Sequence, residues 1–385
     1  MNVRDLLFCL LRHTINGEAL DKGAIVESLN SKKMATLFNI SKKHDVAHLV
    51  AVALDDIGIC LDDDIGKLFE KEREQALLRY EMINADIEEI SDLFEKEGID
   101  YIPLKGAVLR SYYPKPWMRT SCDIDILVKE EDLDKAINAL VEKLSYKTDY
   151  ERQYHDVSLF SPFGMHLELH FNIKEDIEKY DELLTQVWTF SRKAEPFFHK
   201  HLQSNEFFML HLLAHMAYHF ISGGCGVRSV LDFWILSKKL SINEKELISF
   251  LKRTELESFY YAIKELSEYW LEGKSNPCHT VLEAEKYILL GGAYGNDKNN
   301  ATSKQIKKGG KLKYFLSRVF MPYDSLAILY PIIKRHKILT PFCQLARWLS
   351  VVFKGKKIKK EIKRITSVSQ AQVEKTKTLL RDLGL

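Results

Sequence analysis

The chain lacks any pairing among its cysteines. Cys9, Cys60, Cys122, Cys225, Cys278 and Cys343 are scattered along 385 residues, which argues against a disulfide framework or a zinc ribbon and fits a reduced, cytoplasmic setting. It also lacks a charge excess. The 56 Lys and Arg nearly cancel the 54 Asp and Glu, so the net charge of +2 offers no general attraction to nucleic acid, and any such contact would have to be local. No apolar run reaches the roughly 18 to 20 residues of a membrane span. The longest patches, 325–333 and 341–353, are broken by proline or charge, so no span is expected. The run 6–11, flanked by Arg4 and Arg12 and followed by no small-residue cleavage site, reads as an amphipathic helix rather than a signal peptide. There is no internal repeat.

What is present is an ordinary globular composition, 46% hydrophobic and 29% charged, at a length that implies two or three domains or subdomains. Up to Gly98 apolar residues recur at three and four residue spacing, notably Leu68, Ala76, Leu77, Tyr80, Ile83, Ile87, Ile90 and Leu93, which is a helical period with a glycine stop. The pattern then alternates between short strands (101–104, 123–128, 155–160, 165–171) and helices (107–113, 130–144), with Ser161-Pro162-Phe163-Gly164 as a hairpin turn. Beyond Ile173 the helical period returns, with helices expected at 181–190, 205–221, 227–239, 244–252, 256–271, 281–290, 305–320, 341–353 and 356–380. The glycine-rich stretch 291–311 reads as a mobile loop. The expected fold is α+β: a small mixed sheet in a core at 99–175, flanked by helical regions at 1–98 and 176–385.

The densest chemistry lies in that core. Asp123 and Asp125 are one residue apart at the start of an apolar, β-branched run, so in a strand both face one small volume. Two like charges so placed repel unless a cation lies between them, and Mg²⁺ (or Mn²⁺) suits a few carboxylates plus water and phosphate oxygens. Leu104-Lys105-Gly106 sits between a strand and a helix, where backbone amides and the Lys105 charge face an anion. Arg119, just before the two aspartates, is either the salt-bridge partner of that carboxylate pair or a phosphate ligand. In Met165-His166-Leu167-Glu168-Leu169-His170, alternation puts His166, Glu168 and His170 on one face, and a position beside the aspartate strand would make Glu168 the third metal carboxylate. A rival reading takes His166 and His170 as zinc ligands.

The run Leu104-Lys105-Gly106, Tyr113-Pro114, Arg119, Asp123-Ile124-Asp125-Ile126-Leu127-Val128 and Glu168-Leu169-His170 resembles the uncharacterised nucleotidyltransferase family of the DNA polymerase beta-like superfamily. Downstream, His215-Met216-Ala217-Tyr218-His219-Phe220, Gly223-Gly224-Cys225-Gly226-Val227-Arg228 and Leu231-Asp232 are similar to the same family, as is the Pro322 and Pro331 region. The resemblance implies a polymerase beta-like core with a helical partner region and a two-metal enzyme that moves an NMP from an NTP, expected to be ATP, to an unidentified acceptor. In it Asp123, Asp125 and Glu168 are catalytic and metal-binding, Lys105, Gly106, Arg119 and Arg228 bind nucleotide, and His170, His215 and His219 are accessory. The alternative is a nucleotide-binding regulatory or antitoxin-like module with little turnover. The wider superfamily's Gly-Ser turn reads Lys105-Gly106 here, so Lys105 and backbone amides would replace a serine hydroxyl.

Two features stay open on sequence. His211, His215 and His219 form one helical stripe that suits either packing or metal, and Arg228 with Asp232 suits either an exposed helical ion pair or closure over the nucleotide. The lysine-rich run 354–364 reads as a solvated face, with nucleic-acid or acidic-partner contact the other option.

Overall fold

A computed structural model describes residues 1–59, 64–152, 154–175, 177–293, 295–310, 313–314, 316, 319–352 and 368–385. The basic run 354–364 and the first part of the expected helix 356–380 lie outside the described residues.

The amino-terminal helices are α1 (Val3–Asn16), α2 (Lys22–Ser28), α3 (Ser31–Lys43), α4 (Ala47–Asp56) and the long α5 (Asp64–Glu97). Along α5, Phe69, Ala76, Ile83 and Ile90 are buried at seven-residue intervals, so one stripe faces inward for the whole helix. Leu68 and Leu77, counted in the apolar period from sequence, fall beside that stripe and are 43% and 38% exposed. Gly98, at φ 65°, ends the helix in the left-handed region as expected.

The core that follows runs β1 (Tyr101–Pro103), α6 (Lys105–Leu109), β2 (Asp123–Val128), α7 (Leu133–Leu144), β3 (Lys147–Arg152), β4 (Asp156–Phe160) and β5 (His166–His170). These strands form one mixed sheet in the order β1-β2-β5-β4-β3, in which β2 and β5 are parallel and the other pairs antiparallel. Strand alternation divides its two faces. Ile124, Ile126 and Val128, with Val157, Leu159, Leu167 and Leu169, pack against Ile83, Ile90 and Phe94 of α5 and Leu133, Ile137 and Leu140 of α7. Each such buried aliphatic side chain contributes about 1.5–3 kcal/mol, so this face fixes the strand register. The opposite face carries Asp123, Asp125, Glu168 and His170.

The carboxy-terminal helices begin with α8 (Glu178–Leu184), a two-stranded ribbon of β6 (Ser191–Lys193) and β7 (His201–Gln203), and α9 (Asn205–Ser222). They continue as α10 (Val227–Lys239), α11 (Glu244–Arg253), α12 (Glu257–Leu271), α13 (His279–Gly291) and α14 (Asp297–Lys307). After these come α15 (Tyr323–Leu329), α16 (Ile332–Arg335), α17 (Thr340–Val352) and α18 (Gln370–Asp382). One large core joins α1, α3 and α4 to α9 through α13, and Phe8 stacks on Trp270 with ring centroids 4.4 Å apart.

The fold is α+β with a small mixed sheet, as expected. The stretch 291–311 differs from its loop reading, because much of it is α14. Asn296 caps that helix by accepting from the Asn299 amide, and the glycines before it form close contacts rather than slack. A Cβ on Gly226 would lie 2.6 Å from Ala293 Cα, so the two turns touch backbone to backbone. The expected helix at 107–113 starts earlier, at Lys105, and continues as a 3-10 turn over Arg110–Tyr112.

Candidate active site

The register of β2 and β5 sets the site. Asp123 lies opposite His166 and Asp125 opposite Glu168, so carboxylates from two neighbouring strands share the polar face of the sheet. Asp125 is buried, and its Oδ1 is 3.0 Å from His170 Nε2 and 3.4 Å from Lys105 Nζ. His170 Nε2 also lies 3.5 Å from Glu168 Oε2. One ligand atom from each of Asp125, Glu168 and His170 falls within 4.8 Å of the others. His155 stacks on the His170 ring at 5.3 Å, holding it in place.

The electrostatics follow from burial and proximity. Burial and the charges of Asp125 and Glu168 push the Asp123 carboxyl up. Burial also opposes the Asp125 charge, but Lys105 and His170 outweigh it and hold Asp125 well below the usual carboxylate range. The His170 hydrogen bond lowers Glu168. Burial would depress His170, yet its bonds to Asp125 and Glu168 raise it. Carboxylates therefore crowd this face, and Lys105 and His170 already answer Asp125 and Glu168 but not Asp123.

The site opens into a cleft of about 310 Å³. Its floor is the β2–β5 face and its other wall is α9 and the start of α10, which bring His211, His215, His219 and Arg228 to the same space as Asp123 and Glu168. A family model described as uncharacterised nucleotidyltransferase matches residues 30–272. The chain belongs to that family. The solution structure of the antibiotic-resistance factor ANT(2'')-Ia is similar to this chain at 13% identity, covering 48% of this chain and 96% of that one with a TM-score of 0.34. Among curated proteins, none matches it.

The fold brings together most of the residues singled out from sequence, in unequal roles. Lys105, at φ 39°, starts α6 and points its ammonium at Asp125. Gly106 is a close-packing position: a Cβ there would lie 3.1 Å from Ser121 Cβ. Arg119 does not pair with Asp123 or Asp125, the salt bridge expected for it, but with Asp232 of α10. Its Nε donates to Asp232 Oδ1 at 2.8 Å and its Nη2 to Oδ2 at 2.9 Å, while Tyr113 Oη donates to Oδ1 at 2.7 Å. Arg228 does not pair with Asp232 one helical turn on. Its Nη1 donates to Asp45 and to Thr120 O, because Asp232 is already taken by Arg119. Gly223 and Gly226 close the α9–α10 connection, Gly223 against Asn300 of α14 and Gly226 against Ala293 just before it.

The histidine stripe has its own order. His215 Nδ1 is 2.8 Å from Glu175 Oε1, and His219 Nε2 is 3.0 Å from His215 Nε2. Burial depresses all three histidines, His211 and His219 to about 3 and His215 well below its ordinary value. His166 Nε2 lies 3.0 Å from Ser158 Oγ and His170 Nε2 3.0 Å from Asp125 Oδ1, and both rings also approach Glu168, at 4.0 and 3.5 Å; the cluster of possible metal ligands takes in His170 with Asp125 and Glu168, and His166 is not part of it.

Sequence reasoning missed Glu175, Asp45 and His155. Glu175 follows the last strand in a stretch without a period, and Asp45, at φ 56°, ends a helix about 80 residues before the aspartates, so no local signal marks either.

Proposed function

We propose that the cleft is the catalytic site of a Mg²⁺-dependent nucleotidyltransferase that moves an NMP from an NTP to an acceptor oxygen. The carrying observation is the pairing of Asp125 with Glu168 in register across parallel strands, with Asp123 on the same face. These groups fit a hard cation. They offer several carboxylate oxygens in one volume, and the upward push on Asp123 is the repulsion that a cation there would relieve. Asp123, Asp125 and Glu168 would hold it, and the ion would supply charge for the triphosphate and polarise the reacting oxygens.

The chain's own residues account for the remaining steps. Lys105 lies beside Asp125 and supplies a positive charge to the phosphates, and Arg228 borders the same cleft from α10. The acceptor oxygen bonds to the α-phosphorus as the bond to the bridging oxygen breaks. Pyrophosphate leaves with that electron pair, and the acceptor's proton passes to Glu168, the less enclosed of the paired carboxylates. ATP is the expected donor, and no helix among the described residues is long and apolar enough to cross a membrane.

The test is calorimetry of ATP, GTP, CTP and UTP with and without Mg²⁺, followed by pyrophosphate release with hydroxyl-bearing acceptors. Mg²⁺-dependent binding and release, both lost in Asp123→Asn, support the enzyme. Binding without turnover on any acceptor favours the regulatory module, a reading supported by the ion pairs that Lys105 and His170 already make with Asp125. Unchanged release in Asp123→Asn would refute the assignment.

A further inference from the structure

The near-neutral total charge hides a strongly uneven distribution. Residues 304–364 hold 17 Lys and Arg against Asp324 and Glu361 alone, which leaves 39 Lys and Arg against 52 Asp and Glu in the rest of the chain. This basic segment lies wholly beyond residue 272, where the family match ends.

Its described part turns apolar side chains outward. On α17, Phe342, Leu345 and Leu349 follow i, i+3, i+7 spacing and are 68%, 51% and 55% exposed. The other side of the same helix faces the chain: Gln344 Nε2, Arg347 Nη2 and Trp348 Nε1 donate to Val319 O at 2.5, 2.5 and 2.7 Å. A helix on a water-facing surface normally does the reverse and buries its apolar stripe. Ile338, 82% exposed, extends the stripe, and exposed Lys334, Arg335 and Lys337 flank it. Among the described residues a small separate core of Leu326, Ala327 and Ile333 lies behind these helices.

We propose that this segment docks the nucleotidyltransferase on the surface of an anionic phospholipid bilayer. The α17 stripe enters the boundary between headgroups and acyl chains, and the lysines and arginines meet the lipid phosphates. Both halves of the chemistry are needed, since basic charge gives attraction to an anionic leaflet and apolar insertion gives residence. A nucleic acid would reward the cations but would gain little from exposed Ile and Leu. No described helix is long and apolar enough to cross, so α17 lies along the surface. The proposal does not rest on nucleotidyl transfer.

The test is co-sedimentation of the full chain with vesicles of phosphatidylcholine alone or with roughly one third phosphatidylserine. The expected result is at least about tenfold tighter partition to the anionic vesicles, weakened by salt. Lys334→Glu/Arg335→Glu/Lys337→Glu and Phe342→Ser/Leu345→Ser/Leu349→Ser should each reduce it about tenfold or more, with thermal unfolding unchanged. If the triple apolar variant does not fold, the single variants Phe342→Ser and Leu349→Ser should each cost about threefold. No partition to anionic vesicles, or partition indifferent to the apolar changes, overturns the proposal. Binding of a single-stranded RNA oligonucleotide that survives the apolar changes, without vesicle binding, would assign the segment to nucleic acid instead.

Discussion

Asp125 on β2 and Glu168 on β5 are direct register partners, although 43 residues separate them in sequence. Parallel strands demand a crossover, and here α7 and the β3–β4 hairpin supply it and return β5 to lie beside β2. The carboxylates meet because Ile124, Ile126 and Val128 of β2 and Leu167 and Leu169 of β5 are buried on the α5 and α7 side. A one-residue slip would turn the site into the core.

This crowding predicts that the site costs stability when no cation is bound. Asp123 is disfavoured in its charged form by burial and by its neighbours. Asp123→Asn should therefore raise the thermal midpoint of the metal-free protein, while abolishing the further rise that Mg²⁺ or Mn²⁺ gives the wild type. Differential scanning fluorimetry with and without metal reads both. A lower midpoint in the metal-free variant would contradict the account.

Arg119 and Asp232 behave in the opposite way. Both are buried and together with Tyr113 they form a closed set, so removing one partner strands a charge. Asp232→Asn should destabilise by about 3–5 kcal/mol in denaturant unfolding. Replacing both ends, as in Arg119→Met/Asp232→Leu, should recover much of that loss, because no lone charge then remains. Equal losses in the single and double variants would mean that the pair is not the cause.

These two cases also separate what the sequence makes legible from what it does not. The Asp123 and Asp125 alternation, the Glu168 face and the α9 and α10 limits all follow from local periodicity, which a sequence displays directly. The Arg119 partner does not, because it lies 113 residues away and is fixed by packing of α10 against the segment before β2. β3 was invisible because Lys147–Arg152 is mostly polar and lacks alternation. The α14 region was misread because its glycines signal slack in sequence, whereas in the fold they permit contact.

His44 predicts a pH dependence. The Val227 amide donates to its Nδ1 at 3.2 Å, so its proton sits on Nε2, 3.2 Å from Leu289 O. Protonating Nδ1 would set two donors face to face, and burial holds this histidine at about 4. The unfolded chain takes up a proton near pH 6.5 and the folded chain does not until about pH 4, so stability is full above 6.5 and falls between those values. The loss is on the order of 3 kcal/mol. His44→Asn, which keeps an acceptor for Val227, should flatten urea-unfolding stability across that window relative to wild type.

The Glu175–His215–His219 chain predicts fixed tautomers. A carboxylate only accepts, so His215 carries its proton on Nδ1, and its bare Nε2 must accept from Nε2–H of His219. Long-range proton–nitrogen correlation spectra at neutral pH should show His215 as the Nδ1–H form and His219 as the Nε2–H form. His215→Gln should release the His219 preference, and a mixed tautomer population in the wild type would dismiss the chain.

Two glycines in the α9–α10 turn test whether close approach or backbone angle controls this corner. Gly223 is at φ 142°, and a Cβ there would fall 1.7 Å from Asn300 Oδ1. Gly226 has an ordinary extended φ of −87°, so the backbone and Cβ of Ala293, not the angle, oppose a side chain there. Gly17 has positive φ with nothing within 4 Å of its Cβ position, so Gly17→Ala should cost only about 1 kcal/mol from the backbone angle. Gly226→Ala, with no angle to strain, should still cost about 2 kcal/mol or more, because rigid backbone must move. Gly223→Ala combines both effects and should be the most harmful of the three. If Gly226→Ala unfolds no more easily than Gly17→Ala, the turn and α14 do not pack as tightly as these contacts imply, and the Arg228 wall of the cleft would be free to move with them.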